Sequence, residues 1–367
     1  MKVIIFGLGE LGRKLVTETK RYITSVEIVC IVDNNVNDTY YEGIKVNSIN
    51  ALKDYEYDEV WVCTSYHKEI FKQLIDIGIS KEIIFYMEPV VPVLEYRLRE
   101  KMKENVKDIF PSDVLETEIE EIKDYLETHH LRMYCSALYD EYLYKESEIF
   151  WDDEKNLFYG IYKEKKIYLA KRFNTEEKAR AYFNAVTMEQ DKRSPHSYSN
   201  YEISNKKGRF VDIGAAEGIF GLEIIDMAEH LYMVEVDEQW IYALECTYEQ
   251  YKDKVTIISA LVGDGKANTK TIDELFANKE ITYIKMDIEG MELQALKGAE
   301  KVINSSKLQL AVCTYHNKED NTEISHWLNK RKYKITHSHG LVLCQGDWEL
   351  EREDVGFRRA LLFAKNC

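Results

Sequence analysis

Two glycine-rich turns limit what this chain can build. Val3–Phe6 runs into Gly7-Leu8-Gly9-Glu10-Leu11-Gly12, and Arg209–Ile213 runs into Gly214-Ala215-Ala216-Glu217-Gly218. Each turn lies between a short apolar run and a helical pattern, and such a unit reaches its parallel neighbour only through a crossover connection. Each turn therefore opens its own α/β sheet, and 367 residues are enough for two. In the first stretch the strand-like runs are Val3–Phe6, Val26–Val32, Glu59–Thr64 and Glu82–Tyr86, with helical patterns to Tyr22 and over His67–Ile77. From Gly208 onward about seven strands alternate with helices, beginning with Arg209–Ile213, Leu231–Glu235 and Val255–Ser259. Ile281–Asp287, Leu308–Cys313, Tyr333–Thr336 and Phe357–Ala364 complete that set.

The expected fold is α/β, with two doubly wound open sheets joined by a mixed helical and strand middle region. The expected domains are residues 1–92, 93–205 and 206–367. In the middle region Val93 to Arg132 is charged and helical in period, with Leu94, Leu98, Met102 and Val106 on one face. It is a candidate connector, substrate lid or arm for pairing with a second copy of the chain. Asp191–Asn205, with Ser194, Pro195, Ser197 and Ser199, has the composition of a loop or linker.

Acidic residues outnumber basic ones by 65 to 49, a net charge of −16. Such a surface repels phosphate backbones, so nucleic acid is not an expected partner. No apolar run reaches the ~20 residues of a membrane span. The opening MKVIIFGLGE has the pattern of a buried first strand rather than a leader. The seven cysteines, Cys30, Cys63, Cys135, Cys246, Cys313, Cys344 and Cys367, are odd in number and contain no CxxC. They fit reduced core thiols in a cytoplasmic protein.

Four motifs carry chemistry. In the first, Gly7, Gly9 and Gly12 allow a tight turn and close backbone approach at a helix N-terminus. Asp33 ends the next strand where a ribose-binding acid is expected. A nicotinamide dinucleotide or a nucleotide-linked sugar are both candidate ligands, and a turn that has lost its ligand is the bland alternative. In the second, Asp212 suits a ligand with an ammonium group, and Gly214 and Gly218 leave room for the methionine part of S-adenosylmethionine. Glu235 falls where a carboxylate grips both ribose hydroxyls.

The third motif crowds Asp287, Glu289 and Glu292 at the end of a central strand, the edge of an open sheet where ligands bind. Stabilising a helix dipole is the structural alternative for these acids. The fourth, Cys313-Thr314-Tyr315-His316, places a histidine at the next strand end. His316 is the candidate general base, with Asp287 as its orienter or rival. A divalent ion held by Asp287, Glu289 and His316 is a secondary reading.

Residues 208 onward resemble the FkbM family of S-adenosylmethionine-dependent methyltransferases. VDIGAAEG, MVEVD, Thr271–Leu275, IKMDIEGMELQALKGA and CTYH occur in the family's order. The resemblance implies a seven-stranded class I methyltransferase sheet, O-methylation and, commonly, a sugar or glycan acceptor. It implies cofactor-binding roles for Asp212, Gly214, Glu217, Gly218 and Glu235, and places Asp287 and His316 at the substrate end. Val236 stands where family members often carry proline. The first 90 residues resemble, less specifically, small Rossmann-like domains of bacterial sugar-modifying enzymes, through FGLGELGRKL, IVDNN and Gly43–Val46. The expected activity is therefore O-methylation of a sugar hydroxyl in bacterial polysaccharide or glycan biosynthesis. The alternative is an NAD-dependent nucleotide-sugar oxidoreductase or epimerase built on the first domain.

Overall fold

The computed structural model describes residues 1–35, 40–106, 109–204, 207–304, 307–343 and 355–366. Cys344, Cys367 and the expected boundary at residues 205 and 206 lie outside the described residues. Two compact units result, one from the described parts of Met1–Cys135 and Gln345–Phe357. The other is drawn from Ser136–Cys344 and Arg358–Cys367.

In the first unit β1 (Lys2–Phe6), α1 (Glu10–Tyr22), β2 (Glu27–Val32), β3 (Tyr40–Tyr41) and β4 (Ile44–Asn47) are followed by β5 (Glu59–Val62), α2 (His67–Asp76) and β6 (Ile84–Tyr86). The sheet order is β3-β4-β2-β1-β5-β6, parallel except for the β3–β4 pair. Val3, Ile4, Ile5 and Phe6 are all buried, as a central parallel strand requires. The helical period over Val93–Arg132 is divided into α3 (Val91–Glu104) and α4 (Glu116–Thr128). Pro111 falls between them, where a missing N–H does not interrupt a helix.

The expected separate connector at 93–205 is thus split between the units. Residues 93–135 belong with the first because polar groups tie them to its sheet. Glu95 on α3 accepts the Leu131 N–H at 2.9 Å and meets His130 Nδ1 at 3.0 Å. The other imidazole nitrogen lies 2.9 Å from Glu59 on β5.

The second unit opens with α5 (Ala137–Leu143), then the antiparallel strands β7 (Ile149–Asp152), β8 (Leu157–Tyr162) and β9 (Lys165–Tyr168), and α6 (Glu176–Glu189). There follow β10 (Arg209–Ile213), α7 (Ile219–Ile224), β11 (His230–Glu235), α8 (Glu238–Thr247) and β12 (Val255–Ser259). Next come α9 (Ile272–Phe276), β13 (Ile281–Met286), α10 (Glu292–Lys297), α11 (Glu300–Ile303) and β14 (Gln309–Cys313). The last elements are α12 (Asp320–Asn329), β15 (Tyr333–His337), β16 (Leu341–Leu343), β17 (Phe357–Arg359) and β18 (Leu361–Asn366), so the single run read at Phe357–Ala364 is two strands.

The large sheet has the order β12-β11-β10-β13-β14-β18-β15. Its first five strands are parallel, and β18 runs antiparallel to both of its neighbours. Side chains of β10, β13 and β14 form its core with Leu296, Ile324 and Leu328. The β7–β9 sheet lies on α8, where the Tyr168 N–H donates to Thr247 Oγ1 at 2.9 Å.

Candidate active site

The turn after β10 is set by protein packing. Gly214 has φ +75°, and a Cβ there would overlap the carbonyl oxygen of Asp287. Gly218, at φ +82°, would press a Cβ into Leu244, Met233 and Tyr248. At both positions the space a side chain would need is taken by neighbouring protein atoms.

Asp212 lies beneath this turn. It is fully buried and forms an ion pair with Lys285 Nζ at 3.0 Å, and Lys285 donates to the Gly214 carbonyl at 2.6 Å. Its carboxylate is engaged by the protein's own ammonium. Burial pushes its carboxyl up, and Lys285 works against that. Glu217 is buried beneath Tyr182, whose hydroxyl donates to it at 2.6 Å.

Glu235 ends β11 in the manner the sequence suggests. Oε2 accepts the Ala216 N–H at 2.9 Å, and Oε1 accepts from Val236 and Asp237 at 2.6 and 2.9 Å. These three amides fix the carboxylate against the glycine turn and leave one open lone-pair site, on Oε2.

At the end of β13 the chain turns sharply through Glu289 (φ +55°) and Gly290 (φ +92°). The turn brings Glu292, at the start of α10, back so that its Oε1 accepts the Ile288 N–H at 2.8 Å. Glu292 is fully buried. His316, just beyond β14, places Nδ1 3.0 Å from Glu292 Oε1. Its Nε2 lies 3.4 Å from Asp287 Oδ1 and 3.7 Å from Glu289 Oε2. Burial opposes charge on His316, but Glu292, Asp287 and Glu289 prevail and raise its pKa to about 9. An imidazole already protonated at neutral pH cannot accept a proton, so this arrangement does not suit His316 to the base role expected of it.

The opposite edge of Asp287 is covered by residues the sequence reading passed over. Ser194 to Tyr198, read as part of a linker, is buried throughout. Tyr198 donates to Asp287 Oδ2 at 3.1 Å. His196 Nε2 lies 3.7 Å from the same oxygen and 3.5 Å from Cys313 Sγ. Burial, aided by Lys285 and His316 and opposed by Asp287, lowers His196 to about 4, so it is neutral near pH 7. Burial pushes the Asp287 carboxyl up, but Lys285, His196 and His316 bring it below its ordinary value. Glu189, buried beside Glu217 and Asp287, is raised to about 8.

Lys285 and Tyr198 were missed. A lysine inside the apolar run of β13 was the available signal for Lys285, because a buried ammonium needs a partner. No periodicity marks Tyr198.

In the first unit Gly12 lies against the Gly7 carbonyl and allows α1 to approach β1. A Cβ on Gly9 would meet open space. Asp33 Oδ2 accepts the Leu8 N–H at 2.6 Å and Oδ1 accepts from Asn35 at 2.8 Å, so this acid braces its own glycine turn. Five cysteines, Cys30, Cys63, Cys135, Cys246 and Cys313, are buried and free.

This geometry sits within recognisable sequence families. Residues 212–335 match the methyltransferase FkbM domain, and residues 1–85 match the N-terminal domain called C2185-like. The match to the methyltransferase FkbM domain thus lies in the C-terminal region. No curated protein matches the chain. Among solved structures, methyltransferase FkbM from Methylobacillus flagellatus is 16% identical, with 100% of this chain and 90% of that one covered and a TM-score of 0.43. Precorrin-6y C5,15-methyltransferase from Geobacter metallireducens is 13% identical over 44% of this chain and 80% of that one, with a TM-score of 0.32. An rRNA methylase from Streptococcus thermophilus is 16% identical over 45% and 89%, with a TM-score of 0.30. No helix among the described residues is long and apolar enough to cross a membrane.

Proposed function

We propose that the C-terminal unit is an O-methyltransferase that uses S-adenosylmethionine to modify a sugar hydroxyl during polysaccharide or glycan assembly. The observation that carries this reading is Glu235, a carboxylate fixed at the end of β11 by the amide of the adjoining glycine turn. Counted from β10, the strand order 3-2-1-4-5-7-6 with an antiparallel seventh strand supports a class I methyltransferase sheet.

The bound donor supplies an electrophilic methyl group on sulfonium sulfur. Glu235 would accept from a ribose hydroxyl through the open site on Oε2, and the Gly214–Gly218 turn offers backbone. Asp212 contributes from below by fixing Lys285, and through it the Gly214 carbonyl. Asp287, the part-exposed carboxylate of the cluster, accepts a hydrogen bond from the acceptor hydroxyl, aligns it and takes its proton as the O–CH3 bond forms and the S–CH3 bond breaks. Burial opposes the ionised form of Asp287, but Lys285, His196 and His316 favour it.

The test is calorimetric titration of the full chain with S-adenosylhomocysteine. One site is expected, and Glu235→Gln should weaken it roughly 10–100-fold, the worth of hydrogen bonds to a charged group. Intact mass of nucleotide sugars incubated with S-adenosylmethionine then identifies the acceptor by the gain of one methylene equivalent. Binding of NADH with none of S-adenosylhomocysteine would favour the oxidoreductase reading instead.

A further inference from the structure

The acids around His316 form more than a hydrogen-bonding cluster. Asp287, Glu292 and His316 bring ligand-type atoms to within 4.8 Å of one another. Two atoms each ~2.1 Å from one ion stand roughly 3.0–3.4 Å apart at octahedral or tetrahedral angles. Asp287 Oδ1 and His316 Nε2 are 3.4 Å apart. Glu289 Oε2 lies 3.7 Å from the same nitrogen, on a side chain that is 93% exposed and able to close by a change of rotamer.

The second nitrogen of His316 faces an acid. Glu292 lies 3.0 Å from Nδ1 and is in turn fixed by the Ile288 amide. An ion at Nε2 would displace the proton that these acids otherwise favour on the ring, and a carboxylate beside Nδ1 is the arrangement found behind metal-bound histidines. Glu292 Oε2 is buried and has no hydrogen-bond partner among the described residues. An unpartnered buried carboxylate oxygen is costly and marks an excess of negative charge here.

We propose that His316 Nε2, Asp287 and Glu289 bind a divalent first-row cation of the Mn2+ to Zn2+ type, with Glu292 as the positioning residue behind the histidine. One imidazole with two carboxylates suits such ions better than Ca2+, which favours an all-oxygen set. Such an ion would lie beside the Asp287 carboxylate that the acceptor hydroxyl meets, and a hydroxyl bound to it would become a stronger acid. The site stands on its own geometry, whereas its link to hydroxyl activation rests on the methyl-transfer reading above.

The test uses the chelator-treated full chain titrated with MnCl2, with free Mn2+ read by electron paramagnetic resonance. One bound equivalent is expected, displaced by ZnCl2. Glu289→Gln, an exposed change that leaves the core intact, should weaken binding about tenfold. Glu292→Gln should weaken it roughly 10–100-fold, and His316→Ala should abolish it. Absence of stoichiometric binding, or equal affinity in wild type and all three variants, overturns the proposal. S-adenosylhomocysteine titrated into the same sample separates the two readings. Donor-product binding without Mn2+ binding removes only the cation site, and the converse removes only the transferase assignment.

Discussion

Removing Lys285 tests the architecture beneath the site. At 3.0 Å the Asp212–Lys285 pair has a gross attraction of about 5–6 kcal/mol at an effective dielectric constant of ~20. Desolvation of both groups consumes much of this, so the intact pair adds little net stability. Lys285→Met is different, because it leaves the Asp212 carboxylate buried alone and removes the donor to the Gly214 carbonyl. Breaking a buried pair in this way costs ~3–5 kcal/mol. At 1.4 kcal/mol per factor of ten, that is roughly 10²–10³-fold in opening of the second unit.

Hydrogen–deuterium exchange with mass spectrometry reads it directly, since the peptides of β10 and β13 report the opening free energy of their own unit. Peptides from β1 and β5 serve as the internal control. Adding Asp212→Asn to Lys285→Met removes the stranded charge and should recover part of the loss, giving a double-mutant cycle. Exchange of β10 and β13 within threefold of wild type in Lys285→Met would refute the buried ion pair.

Three further outcomes follow from other parts of the structure. His130 is disfavoured as a cation by burial, yet Glu59 and Glu95 raise it to about 9 from 6.5. The stability it gives the first unit is therefore full below pH 6.5 and lost as pH rises through about 9. Burial likewise opposes ionisation of Glu95, but His130, Arg99 and the Leu131 amide lower it to about 2, so its contribution is lost as pH falls from 4.5 through about 2. Urea midpoints should show a plateau between those limits, flattened at the alkaline end by His130→Gln. Gly214→Ala, at φ +75° and against the Asp287 carbonyl, should cost more than about 1 kcal/mol in thermal unfolding and weaken S-adenosylhomocysteine binding. Tyr198→Phe should cost roughly 0.5–1.5 kcal/mol in stability, while lowering kcat more than it changes KM for the methyl donor, as measured by steady-state assay.

Sequence periodicity conveyed the sheets better than the site. β10 begins and ends where its apolar run does, because a buried parallel strand is a continuous hydrophobic stretch bounded by turns. The split of Val93–Arg132 into α3 and α4 was less legible, since the same helical period continues on both sides of the break. Glu235 and Asp287 were visible because a strand end followed by a glycine turn fixes where a side chain emerges. Asp212 was placed correctly along the chain, but its partner Lys285 is 73 residues away and no local pattern joins them. His196 and Tyr198 were hidden for another reason. Serine, proline and polar neighbours suggest an exposed linker, and only tertiary packing reveals that Ser194–Tyr198 is covered.

The position of β18 has a consequence for how the chain is made. It is synthesised after β14 and β15 yet inserted between them. Until Leu361–Asn366 has left the ribosome, those two strands have no common neighbour and the flank of β14 stays open. Such an unpaired flank can recruit another nascent chain, so maturation of this half is a late event. Slowing translation ahead of β18 would do little to help it, whereas chaperone cover until β18 emerges would matter most.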